Sequence, residues 1–419
     1  LWTVYFISLY FSVFLVLIFF DKKQSFIKET SFSKIKQELE KIPVVSILIP
    51  AYNEEKTILK TLESVKNINY PKNRLDIIVI NDGSKDNTKN KIQDYIKQNK
   101  LEYFKLLSHE NIGKAASLNK ALTIAKGEYF ACLDADSFVE PDTLKKMLFF
   151  YQQQNDQKLA IITPAMKVYK PKNILQKIQW IEYLVMILVG RITSHLDSLY
   201  VAPGPFSLYR TNIIKKIGGF DEKTLTEDQE IAYRIQNNHY RIKQCFNAYV
   251  YTVSPDKIIP FYKQRRRWYL GSITCAYPYK PLVGNKTYGD FGIMQMVKNV
   301  IGYFVVLTGI GFASYYLIWP FLLKIKRGFV ISFDLIPFFK DFNFVFNPLF
   351  IDIPKVIIVS ALFLTSIFFF YQAHKNAKEK IRSFGYLPII PYFLFYYMLK
   401  GGILIISLYE FAKGKKIKW

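Results

Sequence analysis

The chain has few of the residues that bind soft metals: three cysteines and four histidines in 419 positions. Cys132, Cys245 and Cys275 follow no metal or disulfide spacing, which makes reduced structural thiols the expectation. Acidic residues are scarce beside basic ones, 33 against 57, giving a net charge of +24. Such an excess can mark a nucleic-acid partner, but the Lys and Arg residues form many short clusters flanking apolar segments and no long stripe. Membrane lipids with anionic headgroups are therefore the expected counterpart, and nucleic acid is not. There is no internal repeat, no low-complexity segment and no Walker spacing. The first apolar run has no basic residue before it and no small-residue cleavage pattern after it. That argues against a secretory signal and for a retained anchor. A start at Leu1 in place of Met leaves room for residues upstream.

What is abundant is apolar and aromatic, 51% and 17% of the chain. Leu1 to Phe20, Asn299 to Leu323 and Val356 to Ala373 are uncharged, each near the roughly 20 residues that cross a bilayer. A fourth span between Tyr386 and Phe411 is interrupted by Pro388, Pro391 and Lys400. After the first run come Lys22, Lys23, Lys28, Lys34, Lys36 and Lys41, an excess that places the following region in the cytoplasm of a multi-pass plasma-membrane protein. Three later spans would put Lys413, Lys415, Lys416 and Lys418 outside, against the same bias. Either the bias fails, or 329–350 holds an inserted stretch, which Asp334, Lys340 and Asp341 oppose.

The expected organisation is a transmembrane helix over 1–20, a catalytic α/β domain over 43–255, interface helices over 256–290 and about three transmembrane helices over 293–411. Within the α/β region, short β-branched runs alternate with polar helical stretches: Val44 to Ile49, Asp76 to Ile80, Tyr129 to Leu133, Leu159 to Thr163 and Cys245 to Val250. That alternation predicts a mainly parallel sheet. Asn173 to Ile192 is amphipathic, with Gln176, Lys177, Gln179 and Glu182 mostly opposite its apolar face, and Pro260 to Tyr279 mixes polar and aromatic residues. Both suit helices in the membrane interface, and the first equally suits an ordinary packing helix.

Asp134-Ala135-Asp136 ends the run Tyr129 to Leu133, at the strand end where open α/β sheets bind ligands. Strand alternation would put both carboxylates on one side, where they repel unless a cation lies between them. With no His or Cys cluster nearby, a hard ion such as Mg2+ or Mn2+ fits. Pro50-Ala51-Tyr52-Asn53-Glu54-Glu55 and Asn81-Asp82-Gly83-Ser84 follow two other strands at the same edge, although each alone is also good turn or capping chemistry. In Asn111-Ile112-Gly113-Lys114, Gly113 lets the backbone approach closely and Lys114 supplies a charge.

Thr226-Glu227-Asp228 and Gln264-Arg265-Arg266-Arg267-Trp268 complete the set. In order and spacing these motifs resemble the processive family 2 glycosyltransferases, the group of hyaluronan, chitin, cellulose and poly-N-acetylglucosamine synthases. The resemblance implies a GT-A, Rossmann-like domain and an inverting transfer from a UDP-sugar to a growing glycan. It implies that Tyr52, Glu54 and Asp82 hold the uridine and that Lys114 lies near the donor. Asp134 and Asp136 would hold the metal, with Asp228 as general base. Gln264 and Arg267 would clamp the diphosphate, and Trp268 with Glu227 would meet the acceptor. Arg265 and Arg266 read as an interfacial cluster for lipid heads, and Lys400 as a residue facing a watery channel. The segment Pro203-Gly204-Pro205-Phe206-Ser207 is richer in proline than in such relatives, which implies a different acceptor geometry; the Phe-x-Val-Thr gating loop of bacterial cellulose synthase has no counterpart, which argues against cellulose and leans towards an N-acetylhexosamine or other hexose polymer. Two readings compete: single addition to a lipid acceptor, and a silent nucleotide-sugar or polysaccharide-binding component.

Overall fold

The computed structural model describes residues 2–32, 39–330 and 352–414. Most of the stretch 329–350 raised by the charge bias lies outside these residues. After helices α1 (Trp2–Asp21) and α2 (Lys23–Phe32), the chain enters β1 (Val45–Ala51), α3 (Ile58–Lys66), β2 (Leu75–Asp82), α4 (Thr88–Gln98), β3 (Phe104–His109), α5 (Lys114–Ile124) and β4 (Tyr129–Cys132). These four strands pair in parallel, in the order β3-β2-β1-β4. The cause is visible in β1, where Val45, Ile47 and Ile49 bury against α3 while Leu48 buries against α5 on the other face. A strand covered by helices on both faces needs a continuous apolar run.

The second half is mixed. β5 (Ser137–Val139), α6 (Thr143–Gln154), β6 (Leu159–Val168), α7 (Ile174–His195), β7 (Leu208–Arg210), α8 (Thr211–Lys216), α9 (Glu227–Asn237) and β8 (Arg241–Thr252) complete an eight-stranded sheet, β3-β2-β1-β4-β7-β6-β8-β5. β7 runs antiparallel to both β4 and β6, and β5 runs antiparallel to β8. Strands of three residues are too short to show a period of two, so the sheet is less uniformly parallel than the sequence predicts.

Four helices are long and apolar enough to cross a membrane among the described residues: Trp2–Asp21, Phe291–Leu323, Ile353–Asn376 and Ile389–Ala412. Between them and the sheet lie α7 and α10 (Ile258–Ala276). The polar side of α7 does not face lipid headgroups. Gln176 Nε2 donates to Ser254 O and Gln179 Nε2 to Pro255 O, each at 2.8 Å, so this side packs on the segment leading into α10.

Glu182 is buried where α7 meets α10 and the helix Ile389–Ala412. Its carboxylate accepts from Arg265 of α10, from the Tyr396 hydroxyl at 2.7 Å and from Lys400 Nζ at 2.6 Å. Arg265 is thus a buried ion-pair partner and no lipid ligand. Arg266 makes a two-pronged bond to Glu410, at 2.6 and 2.9 Å, and is not a free interfacial cation. Lys400 likewise points at Glu182, between the rings of Tyr396 and Tyr397, and not into open water. For Arg265 and Lys400 the reason is shared: an ion withdrawn from water needs a counter-ion, and Glu182 supplies it.

Removing one partner from a buried ion group costs about 3–5 kcal/mol, whereas a more exposed pair contributes roughly 0–1 kcal/mol. Glu182→Ala should therefore lower the thermal unfolding midpoint in detergent far more than Arg266→Ala. Equal midpoints for the two variants would remove Glu182 from its structural role.

Candidate active site

Because β1, β2 and β4 are parallel neighbours, with Ala51 beside Asn81 and Leu48 beside Cys132, their carboxyl ends open on one edge. The loops that leave them are tied together. Asn53, at a positive φ of 56°, accepts from the Lys85 amide at 2.8 Å and donates its own amide to Ser84 Oγ at 3.1 Å. Its side chain thus joins two loops and caps no helix. Tyr52 stands exposed at the rim. Glu54 accepts from the Thr57 hydroxyl; burial raises its pKa against that bond, and Asp134 and Asp86 raise it further.

Asp82 is buried and accepts the amides of Ile112 at 2.8 Å and Gly113 at 3.1 Å. It thereby fixes the turn from which α5 and Lys114 begin. Gly113 has φ 90°, and a Cβ there would meet nothing within 4 Å. Backbone conformation, and not a close approach, is what requires glycine at this position.

Asp134 and Asp136 do not alternate along a strand. β4 stops at Cys132, and the two aspartates occupy a turn closed by the Ser137 amide donating to Asp134 O at 2.9 Å. The turn still presents both to the same cleft. Burial, then the charges of Asp134 and Glu54, push Asp136 up to about 7. Opposite them, α9 begins at Glu227 and Asp228, where the positive end of a helix favours carboxylates. Asp228 is partly open to solvent yet deep in the cleft; burial and Glu227 push it up to about 7, while Lys114 and Arg267 pull the other way.

Lys114 joins the two groups. Its Nζ lies 2.7 Å from Asp134 Oδ1 and 2.7 Å from Glu227 Oε1. Burial works against its charge, but Asp134 and Glu227 outweigh burial and hold the ammonium well above its usual range. The Pro203 to Ser207 loop closes over this pair: a Cβ on Gly204 would sit 3.0 Å from Asp134 Oδ2 and 3.1 Å from Lys114 Nζ. The Ala202 amide donates to Asp228 O at 3.1 Å, tying the same loop to α9. Gly204 and Glu182 escape a reading of the sequence. A glycine between two prolines is a signal of close backbone approach, but a lone carboxylate on an amphipathic helix reads as its polar face.

From α10 come Gln264, Arg267 and Trp268. Gln264 Oε1 is buried with no hydrogen-bond partner. Arg267 is near enough for its charge to act on Asp228. The Trp268 ring lies under the Arg265 guanidinium, 4.1 Å from its carbon to the ring centroid. The structure thus brings Glu54, Lys114, Asp134, Asp136, Glu227, Asp228 and Arg267 into one electrostatic unit. No group of three or more His, Cys, Asp or Glu side chains is arranged to hold a metal among the described residues.

Residues 46–218 match the family model described as glycosyl transferase family 2. The chain is 28% identical over 400 residues to a poly-beta-1,6-N-acetyl-D-glucosamine synthase of Staphylococcus epidermidis, covering 93% of this chain and 90% of that one. A synthase of the same name from Staphylococcus aureus is 33% identical, with 54% of each chain covered. Among solved structures, a mannosyltransferase from Pyrobaculum calidifontis in complex with GDP-mannose and Mn2+ superposes with a TM-score of 0.55 at 16% identity, covering 86% of this chain and 98% of that one. At that identity the likeness establishes the fold, a GT-A-like α/β domain.

A base is active when deprotonated, so turnover that uses Asp228 should rise with pH through about 7 and fall away below it. A rate profile between pH 5 and 9 checks this; a rate independent of pH across 6 to 8 would count against Asp228.

Proposed function

The chain is a membrane-associated glycosyltransferase with a family 2 domain, and we propose that it elongates a β-linked polysaccharide from UDP-N-acetylglucosamine or a related UDP-hexose. The observation that carries this reading is the single cleft in which Lys114 joins Asp134 to Glu227, with Asp228 beside them. The near full-length likeness to a synthase of an N-acetylglucosamine polymer supports the choice of sugar.

Each residue type answers a demand of the transfer. Breaking the anomeric bond of a UDP-sugar leaves a diphosphate whose charge must be met. Arg267 and Lys114 face it as cations, and the Gln264 amide nitrogen is the group that would donate to its oxygens. Asp134 and Asp136 fit a divalent ion. Their oxygens are hard donors, and burial with the charges of Asp134 and Glu54 pushes Asp136 up, a repulsion that a bound cation would relieve. Mg2+ or Mn2+ held there would neutralise the leaving charge. Asp228 takes the proton of the acceptor hydroxyl from the face opposite the diphosphate, which inverts the anomeric centre. Tyr52 at the rim offers a flat ring to the uracil, with Glu54 and Asp82 supporting the nucleoside end. Trp268 offers its face to the acceptor sugar, and Glu227 acts on the acceptor side while anchored to Lys114. On this reading the domain lies on the cytoplasmic side of the plasma membrane in a multi-pass protein that translocates its product, which the lysines after the first apolar run and the four apolar helices support.

Asp228→Asn should lose transfer by roughly 100 to 10,000-fold while UDP binding, measured by calorimetry, stays within about twofold. Asp136→Ala, or excess chelator on the parent, should weaken both donor binding and turnover; full activity in chelator would remove the metal from the scheme. Sizing the product made from UDP-N-acetylglucosamine separates the acceptors. A ladder or long polymer supports elongation, and a lipid carrying one sugar overturns it.

A further inference from the structure

The catalytic dipeptide Glu227–Asp228 is gripped on both flanks by one face of α10. On the near flank, a Cβ built on Gly271 would lie 2.3 Å from Thr226 Cγ2, 2.5 Å from its Oγ1 and 2.9 Å from its Cβ. Thr226 is in effect seated on the bare backbone of α10. One turn on, Cys275 Sγ lies 3.0 Å from Thr224 Oγ1 and 3.3 Å from Thr226 Oγ1. On the far flank, Gln229 Nε2 donates to Ser272 Oγ at 3.1 Å. Residues 224, 226 and 229 thus surround positions 227 and 228, and residues 271, 272 and 275 hold them.

The same helix carries Gln264, Arg267 and Trp268 one to two turns earlier. Glycine is a poor helix former and alanine the best, so the helix alone gives no reason for glycine at 271. The contact does. Thr226 is buried and β-branched, with one stiff χ1 torsion, and its hydroxyl is already engaged by Cys275. A methyl at 271 therefore has to displace the Thr226 backbone, and the displacement passes through one peptide bond to Glu227 and the next to Asp228.

We propose that Gly271 is a positioning residue for the transfer: by letting Thr226 rest on the α10 backbone, it fixes the separation between the base Asp228 and the diphosphate- and acceptor-binding side chains of the same helix. This rests on Asp228 being the base. It adds the claim that the base is set by α10 and not by its own helix α9 alone. Near-attack geometry is lost with shifts of about 1 Å, at a cost on the order of 100-fold in rate.

The test is a double-mutant cycle on the full chain in lipid nanodiscs. Gly271→Ala should lower kcat for sugar transfer by about 10 to 100-fold with the dissociation constant for UDP unchanged within about twofold. Thr226→Ala removes the two closest atoms, so Gly271→Ala combined with Thr226→Ala should recover to within about threefold of Thr226→Ala alone. A merely structural glycine would instead lower UDP binding and the folded amount of Gly271→Ala together with its kcat. Parental kcat in Gly271→Ala, or a double variant as slow as the product of the two single effects, overturns the proposal. If Gly271→Ala fails to accumulate, Thr226→Ile presses on the same contact from the other side; it should lose kcat and keep UDP binding, and parental kcat there overturns the proposal equally. An active Asp228→Asn enzyme overturns the base assignment itself, whereas the rescue reports only on the contact.

Discussion

Five carboxylates face one cleft in this protein, those of Glu54, Asp134, Asp136, Glu227 and Asp228, and they could not share it without a cation among them. Lys114 is placed to be that cation, at 2.7 Å from a carboxylate on each side. Its position depends on the turn at Ile112 and Gly113, which Asp82 holds by its two carboxylate oxygens. A residue at the end of β2 therefore sets the ammonium that binds the turn after β4 to the start of α9. The cleft is a property of the sheet edge, because parallel neighbours deliver these loops to the same place.

The remaining wall comes from α10, whose contacts divide by face. One face meets the catalytic turn through Gly271, Ser272 and Cys275. Others reach α7 and the helix Ile389–Ala412: Arg265 is bound to Glu182 of α7 and donates to the Tyr396 hydroxyl at 3.3 Å, and Arg266 is bound to Glu410. Ser272 also lies 3.0 Å from the Tyr303 hydroxyl of the helix that follows the domain. A helix of 19 residues thus links the chemistry to the membrane segments by side-chain bonds, several of them ionic.

Much of this was legible in the sequence, and the reasons are local. β1, β2, β4 and β6 announce themselves because strands buried on both faces need near-continuous apolar runs, and β8 does so through Cys245 to Val250. β3 does not, since Lys105 and Ser108 on a sheet edge break the run, and β5 and β7 are too short. Asp134 and Asp136 stand out because they follow an apolar run that ends in a strand, and Asp228 because its motif and spacing resemble those of the family. Glu182 does not, because its partners Arg265 and Lys400 are 83 and 218 positions away, and no spacing rule reaches that far. The same distance explains why Arg265 and Lys400 look like a lipid ligand and a channel residue when read alone.

The pairing of Lys400 with Glu182 also bears on how the protein is assembled. On its own, a helix with a lysine near its middle inserts into a bilayer at a penalty of roughly 2.5–3.5 kcal/mol. Glu182 and Arg265 lie earlier in the chain, so on synthesis from the N-terminus α7 and α10 emerge before Lys400 does. The last helix then meets a counter-charge already in place, and its retention in the membrane becomes conditional on a catalytic domain that has folded. A chain in which α7 has not formed offers Lys400 no such partner, and the cost of withdrawing that charge from water is left unmet.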